Sequence, residues 1–148
     1  MKIAFVRDIL IEKSGEKDML TVGMKALQKE TVVESNTARM LGSGGLDVYA
    51  TPAMLLLMEK TCYLCVQDAL EHGQSTVGTA VNISHESATP LDGQVVCTCE
   101  LTAINGRELT FAVECRDQAG IIGRGEHKRF IIDVERFMER TNRKKNNV

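Results

Sequence analysis

The longest unbroken apolar run in this chain, residues 53–58, has six members, far short of the roughly 20 that a helix needs to cross a bilayer. A leader's architecture is missing as well. Lys2 precedes a short apolar stretch, but Arg7, Asp8, Glu12 and Lys13 interrupt it and no small-residue cleavage site follows. The expectation is a protein that stays in the cytoplasm, with no membrane partner. An excess of one charge is also lacking. The formal net charge is −2, so no global field draws the chain to nucleic acid or to an anionic surface. Basic residues gather only near the end, at Arg136, Arg140, Arg143, Lys144 and Lys145. Such a run reads first as a solvated tail and second as a local phosphate contact.

Metal-binding spacing is absent too. Of five cysteines, Cys62 and Cys65 form a C-x-x-C pair, but no second pair stands at zinc-finger distance. Cys97, Cys99 and Cys115 fall on alternating positions of apolar runs, where free cysteine packs as a small hydrophobe. No ligand cluster calls for a metal, and no cofactor is implied. Pro/Gly-rich linkers, repeats and low-complexity stretches are missing, so 148 residues with 43% hydrophobic and 26% charged content make one domain around one core. The expected division is an N-terminal extension over 1–20, a folded domain over 21–140, and a basic polar tail over 141–148. In the extension, an apolar patch at 3–11 and a polar turn at 14–18 admit either an extra strand or a short helix.

What is present is one long helix signal followed by strands. Residues 25–33 alternate and end in Thr31-Val32-Val33, which predicts a strand. Ser35 and Asn36 offer N-caps for a short helix over 37–41, stopped by Gly42-Ser43-Gly44-Gly45. Thr51 then suits an N-cap and Pro52 the first helical position, and no breaker intervenes until Gly73. Between Ala53 and Leu70, 13 of 18 residues are apolar, so this helix must be covered on most sides. A second subunit is the expected means. Strand alternation follows at Val77 to Ile83, Val95 to Ala103, Leu109 to Cys115 and 121–132, with turns at Asp92-Gly93 and Asn105-Gly106. A long apolar helix before an antiparallel meander predicts an α+β domain with the helix on one sheet face.

Glu59 is the anomaly in that helix. Its neighbours at i−4, i+3 and i+7 are Leu55, Cys62 and Val66, and a carboxylate on such a stripe loses hydration unless something pairs with it. A structural ion pair at the helix edge is the plain reading and a working carboxylate the sharper one. His85 weighs toward the second, because it ends the first strand after the helix and a strand returning over the helix can bring it within reach of Glu59. Thr51, at a helix N-terminus, stands where free N–H groups favour developing negative charge.

Taken together these residues resemble a known group. Asp47-Val48-Tyr49-Ala50-Thr51-Pro52-Ala53-Met54, running on to Leu57-Met58-Glu59, then Val77-Gly78-Thr79-Ala80-Val81-Asn82-Ile83-Ser84-His85, and later Gly123-Arg124-Gly125-Glu126-His127-Lys128-Arg129, are similar to the hot-dog-fold thioesterases of the fluoroacetyl-CoA thioesterase-like group. The likeness spans about 22–140. It implies a long central helix wrapped by an antiparallel β-sheet, a homodimer with sites at the subunit interface, and acyl-CoA as substrate. Carried over by position, Thr51, Glu59 and His85 match the catalytic trio, Gly78 a substrate-contacting glycine, and Arg129 a residue near the bound thioester. The expected reaction is hydrolysis of the thioester, with Glu59 as nucleophile or general base. His85 would orient Glu59 or protonate the thiolate, and Thr51 would hold the carbonyl oxygen. Arg124, Lys128, Arg129 and the tail are candidates for the coenzyme's phosphates. One departure is visible: the fluoroacetate-specific member carries aromatic residues in a lid segment before the threonine, whereas 34–50 here contains only Tyr49. A hydratase on the same fold is disfavoured by the lack of an Asp-x-x-x-x-His segment. A non-catalytic acyl-CoA-binding domain is the rival of a different class.

Overall fold

The computed structural model describes residues 17–147, so the reading of 1–16 as strand or helix lies outside the described residues. Five antiparallel strands form one sheet: β1 (Lys25–Thr31), β2 (Gln74–His85), β3 (Gln94–Asn105), β4 (Glu108–Asp117) and β5 (Gly120–Asp133), in the order β1-β3-β4-β5-β2. Between β1 and β2 run a 3-10 turn (Glu34–Asn36), a one-turn helix α1 (Ala38–Leu41) and the long helix α2 (Thr51–Gln67). A helix α3 (Val134–Asn142) and a 3-10 turn (Arg143–Asn147) close the chain.

The sheet wraps α2 because β3 and β4 alternate with period two. Cys97, Cys99 and Leu101 face Cys115, Val113 and Phe111 in register on the inner side, and all six are buried. Against them α2 lays Ala53, Met54, Leu57, Met58, Thr61, Cys62 and Val66, also buried, each large apolar side chain contributing about 1.5–3 kcal/mol. The opposite face of α2 is not covered. Leu56 is 66% exposed, and Tyr63 and Leu64 are exposed as well. The apolar composition calls for cover on most sides, and the sheet supplies it on one side only. Strand β2 is likewise an edge, paired with β5 alone. No helix among the described residues is long and apolar enough to cross a membrane.

Four local expectations shift. Thr51 does not cap α2: Ala50 holds the N-cap position without a side-chain bond, and Thr51 is the first helical residue with Pro52 beside it. The hydroxyl is thereby left for other work. Thr37, rather than Ser35 or Asn36, caps α1, its oxygen accepting from the Met40 N–H at 3.3 Å. The β3–β4 hairpin turns on Gly106-Arg107, one residue later than expected. Gly106 alone takes a positive φ, +60°, as a two-residue turn with glycine first requires. Finally, part of the basic run is helical. Val134 donates to the Gly73 carbonyl at 3.0 Å and starts α3, which exposes Arg136 and Arg140. Its Val134, Phe137 and Met138 are too few in number to announce a helix by period alone.

All five cysteines are free and stand between α2 and the sheet. Contact with Cys99, reinforced by burial, pushes the Cys65 thiol far up, and contact with Cys62 and burial push Cys99 up in turn. Thiols so protonated are poor ligands and poor nucleophiles. Among the described residues no group of three or more His, Cys, Asp or Glu could hold a metal ion. Changing Cys62 and Cys65 together to Ala is expected to cost about 1–3 kcal/mol of stability, read by denaturant unfolding, with no change in metal content. Stoichiometric zinc in protein purified without added metal would overturn the packing role.

Candidate active site

The backbone leading into α2 is pinned on both sides. Tyr49 N–H donates to the Thr89 carbonyl at 2.9 Å and Ala50 N–H to the Asn36 carbonyl at 3.0 Å. Tyr49 itself is buried, with its hydroxyl on Glu30. This fixes Thr51 opposite the last residue of β2, and the Thr51 hydroxyl lies 2.7 Å from His85 Nδ1. His85 Nε2 is buried without a partner. Burial pushes the His85 pKa below its ordinary 6.5, with the Ser87 backbone acting the other way, so the ring is neutral at pH 7. Two tautomers follow. With Nδ1 unprotonated it accepts the Thr51 hydrogen; with Nδ1–H donating to Oγ1, that hydrogen is released toward an incoming carbonyl.

Glu59 has the edge position and ion pair of the plain reading, and its partner is not His85. Its partner is Arg129, with Nη1 3.6 Å from Oε2. The carboxylate side chain is 38% exposed, so it sits at the edge of the apolar stripe and reaches water. Arg129 is 6% exposed and tied down at every nitrogen. Nε donates to Thr76 Oγ1 at 2.8 Å, Nη2 to the Thr76 carbonyl at 3.0 Å, and Nη1 lies 3.1 Å from His127 Nε2. The Tyr63 ring lies beneath the guanidinium, 5.8 Å from Cζ. Burial pushes the Arg129 pKa down and Glu59 opposes it. Gly78 completes the cluster. A Cβ there would come within 3.0 Å of Glu59 Oε2 and 3.2 Å of His127 Cε1, so any larger residue would press on the carboxylate.

Thr51 with His85, and Glu59 with Gly78 and Arg129, are therefore two separate clusters in one chain. Eight helical residues separate Thr51 from Glu59, about 12 Å along the axis. Seven strand residues separate Gly78 from His85, about 23 Å of β2. One carbonyl hydrogen-bonded on one side and approached on the other spans only about 7 Å. His85 thus meets Thr51 instead of Glu59. The phosphate candidates also divide. Arg124 pairs with Glu86 at 3.1 Å and Lys128 with Glu108 at 3.6 Å. Arg129 points inward, while Arg143, Lys144 and Lys145 are exposed.

His127 and Thr76 were not singled out by sequence. His127 looked polar because Glu126 and Lys128 flank it, yet it is 1% exposed. Strand alternation carried one step further would have placed His127 on the inner face with Arg129 and Ile131.

Three comparisons bear on this geometry. A family model described as fluoroacetyl-CoA-specific thioesterase matches residues 32–135. The curated fluoroacetyl-CoA thioesterase of Streptantibioticus cattleyicolor is 37% identical over 98 residues, covering 66% of this chain and 70% of that protein. A solved structure of a fluoroacetyl-CoA thioesterase superposes with a TM-score of 0.80 at 32% identity, covering 86% of this chain and 98% of that one. A threonine-to-serine variant of that enzyme in complex with acetyl-CoA superposes equally, at 0.80 and 31% identity, over 84% of this chain and 98% of the other.

Proposed function

The chain belongs to the fluoroacetyl-CoA-specific thioesterase family and has the hot-dog fold of thioesterases, and from that premise we propose that it hydrolyses an acyl-CoA thioester to free acid and coenzyme A, with Glu59 as nucleophile or general base. The observation that carries this reading is the pairing of half-sites. A partly exposed carboxylate is aimed by a buried guanidinium beside Gly78, and a hydroxyl–imidazole pair stands at the start of the same helix. A pure binding pocket gains nothing from either device, since a buried cation costs desolvation.

Because the halves are too far apart in one chain, the working site joins two copies. The uncovered Leu56, Tyr63 and Leu64 and the open edge of β2 are the surfaces a second copy would cover. Antiparallel pairing of two β2 edges, centred between Val81 and Asn82, would set Gly78 opposite His85 of the partner subunit. Glu59 would then face Thr51 of the partner subunit across one substrate. In that site Thr51 and the free N–H groups of the first turn hold the developing oxyanion. Glu59 either attacks the carbonyl carbon and expels the thiolate, leaving an anhydride that water then hydrolyses, or takes a proton from the attacking water, and that proton passes through His85 to the leaving thiolate. The 2.7 Å contact also favours a second reading, in which neutral His85 takes the Thr51 proton and Thr51 attacks.

The acyl group is not set by a lid aromatic. Tyr49, the aromatic residue within 34–50, is turned into the core. Thiol release measured against a panel of acyl-CoAs is expected to show turnover, with acetyl-CoA and fluoroacetyl-CoA within roughly tenfold of each other. Acyl-enzyme captured by rapid quench and mapped to Glu59 or Thr51 separates the two readings. Binding of acyl-CoA without any thiol release would favour the non-catalytic alternative.

A further inference from the structure

The hydrogen bonds around Arg129 do more than satisfy its donors. His127 is enclosed on the inner face of β5, its ring stacked on Phe111 at a centroid distance of 6.4 Å and 28° between planes. Its Nδ1 lies 2.9 Å from the Ala80 carbonyl. A carbonyl accepts and cannot donate, so Nδ1 carries the hydrogen and Nε2 presents its lone pair. Facing that lone pair at 3.1 Å is Arg129 Nη1, a group that can only donate. The same Nη1 stands 3.6 Å from Glu59 Oε2. The three side chains form a chain in which the guanidinium donates both ways, to the imidazole that the Ala80 carbonyl holds and toward the carboxylate.

We infer that His127 is a positioning residue of this site, holding one edge of the Arg129 guanidinium through Nε2 so that Nη1 remains aimed at Glu59; the inference rests on Glu59 being the working carboxylate. Thr76 holds the other edge, so between them the plane of the guanidinium has no freedom to rotate. Protonation of His127 would set an N–H against an N–H and break the chain. The environment works against it: burial lowers the His127 pKa from 6.5 and Arg129 lowers it further, while the Ala80 bond and Glu59 act the other way. The register of β2 shifts between Gly78 and Ala80, beside the carbonyl that holds the ring, and Gly78 leaves the space in which imidazole, guanidinium and carboxylate meet.

Two variants separate this role from packing. His127→Phe keeps a ring against Phe111 but supplies no acceptor, whereas His127→Gln supplies an amide oxygen that can accept from Nη1. His127→Phe is expected to lower kcat for acyl-CoA hydrolysis about tenfold with KM within about twofold, and His127→Gln to recover most of the loss. Placed in a Glu59→Gln background, His127→Phe is expected to add little, because the two act as one unit. Equal loss in both variants, or no loss in His127→Phe, would overturn the role. Nitrogen-15 spectra of the histidine rings give a readout independent of turnover. At pH 7 His127 is expected to be neutral with hydrogen on Nδ1, and hydrogen on Nε2 or a charged ring overturns the inference. A wild-type protein that hydrolyses no acyl-CoA yet shows the Nδ1–H form would defeat the thioesterase mechanism and this role in it, leaving the Arg129 pairing as structure alone.

Discussion

Glu59→Gln is expected to reduce acyl-CoA turnover by at least ~10²-fold, the lower end of what a general base contributes, equivalent to about 2.7 kcal/mol of transition-state stabilisation. Glutamine keeps the size of the side chain and an oxygen for Arg129 Nη1, but it has neither the basicity nor the nucleophilicity of a carboxylate. Stability is expected to change little. From sequence alone, removing a charge from an apolar stripe should stabilise the fold. The structure alters that balance, because Glu59 reaches water and faces the buried Arg129. The half-exposed pair is screened, so its loss should cost about 1 kcal/mol or less, and Thr76 and His127 continue to satisfy the guanidinium. The measurement is steady-state thiol release beside denaturant unfolding. An acyl-CoA hydrolysed equally well by wild type and Glu59→Gln sinks the mechanism.

The second large effect is a recovery rather than a loss. Thr51→Ala removes the hydroxyl that meets His85, and a missing oxyanion donor typically costs ~10²–10³ in kcat. Homodimers of Thr51→Ala and of Glu59→Gln are each expected to be nearly inactive. In a dimer made of one Thr51→Ala chain and one Glu59→Gln chain, purified through two different tags, one composite site has both residues intact and the other has neither. Its turnover is expected to be about half that of wild type per dimer, far above either parent. Sites built within one chain would each lack one residue, and the mixed dimer would stay as inactive as its parents. That result, or a protein that sediments as a monomer at micromolar concentration, would remove the composite site.

Legibility differed by element. Period two in Leu109, Phe111, Val113 and Cys115 and the breaker-free stretch ahead of Gly73 were enough to place β4 and α2, because burial of a regular face writes itself into residue spacing. Glu59, His85 and Thr51 were legible as candidates from their own surroundings in the chain, and Gly78 and Arg129 through the resemblance alone. Turn and cap positions slipped by one or two residues, as at Gly106-Arg107 and Thr37, since several neighbours are chemically able to fill each role. Helix α3 was hidden in a run of basic residues whose apolar members are few.

By itself, then, the sequence determined the kind of fold and the kind of residues at issue: a helix too apolar for one sheet to cover, and a carboxylate within it. Partnership was decided only by the tertiary structure. Thr51 and Glu59 share a helix, yet β2 delivers His85 to the first and Gly78 to the second, and β5 brings Arg129 and His127 beneath the carboxylate. Spacing along a chain fixes which side of an element a residue occupies. Which residue of another strand stands opposite depends on register and on the bulge at Gly78/Ala80, and those follow from how the whole sheet closes around α2.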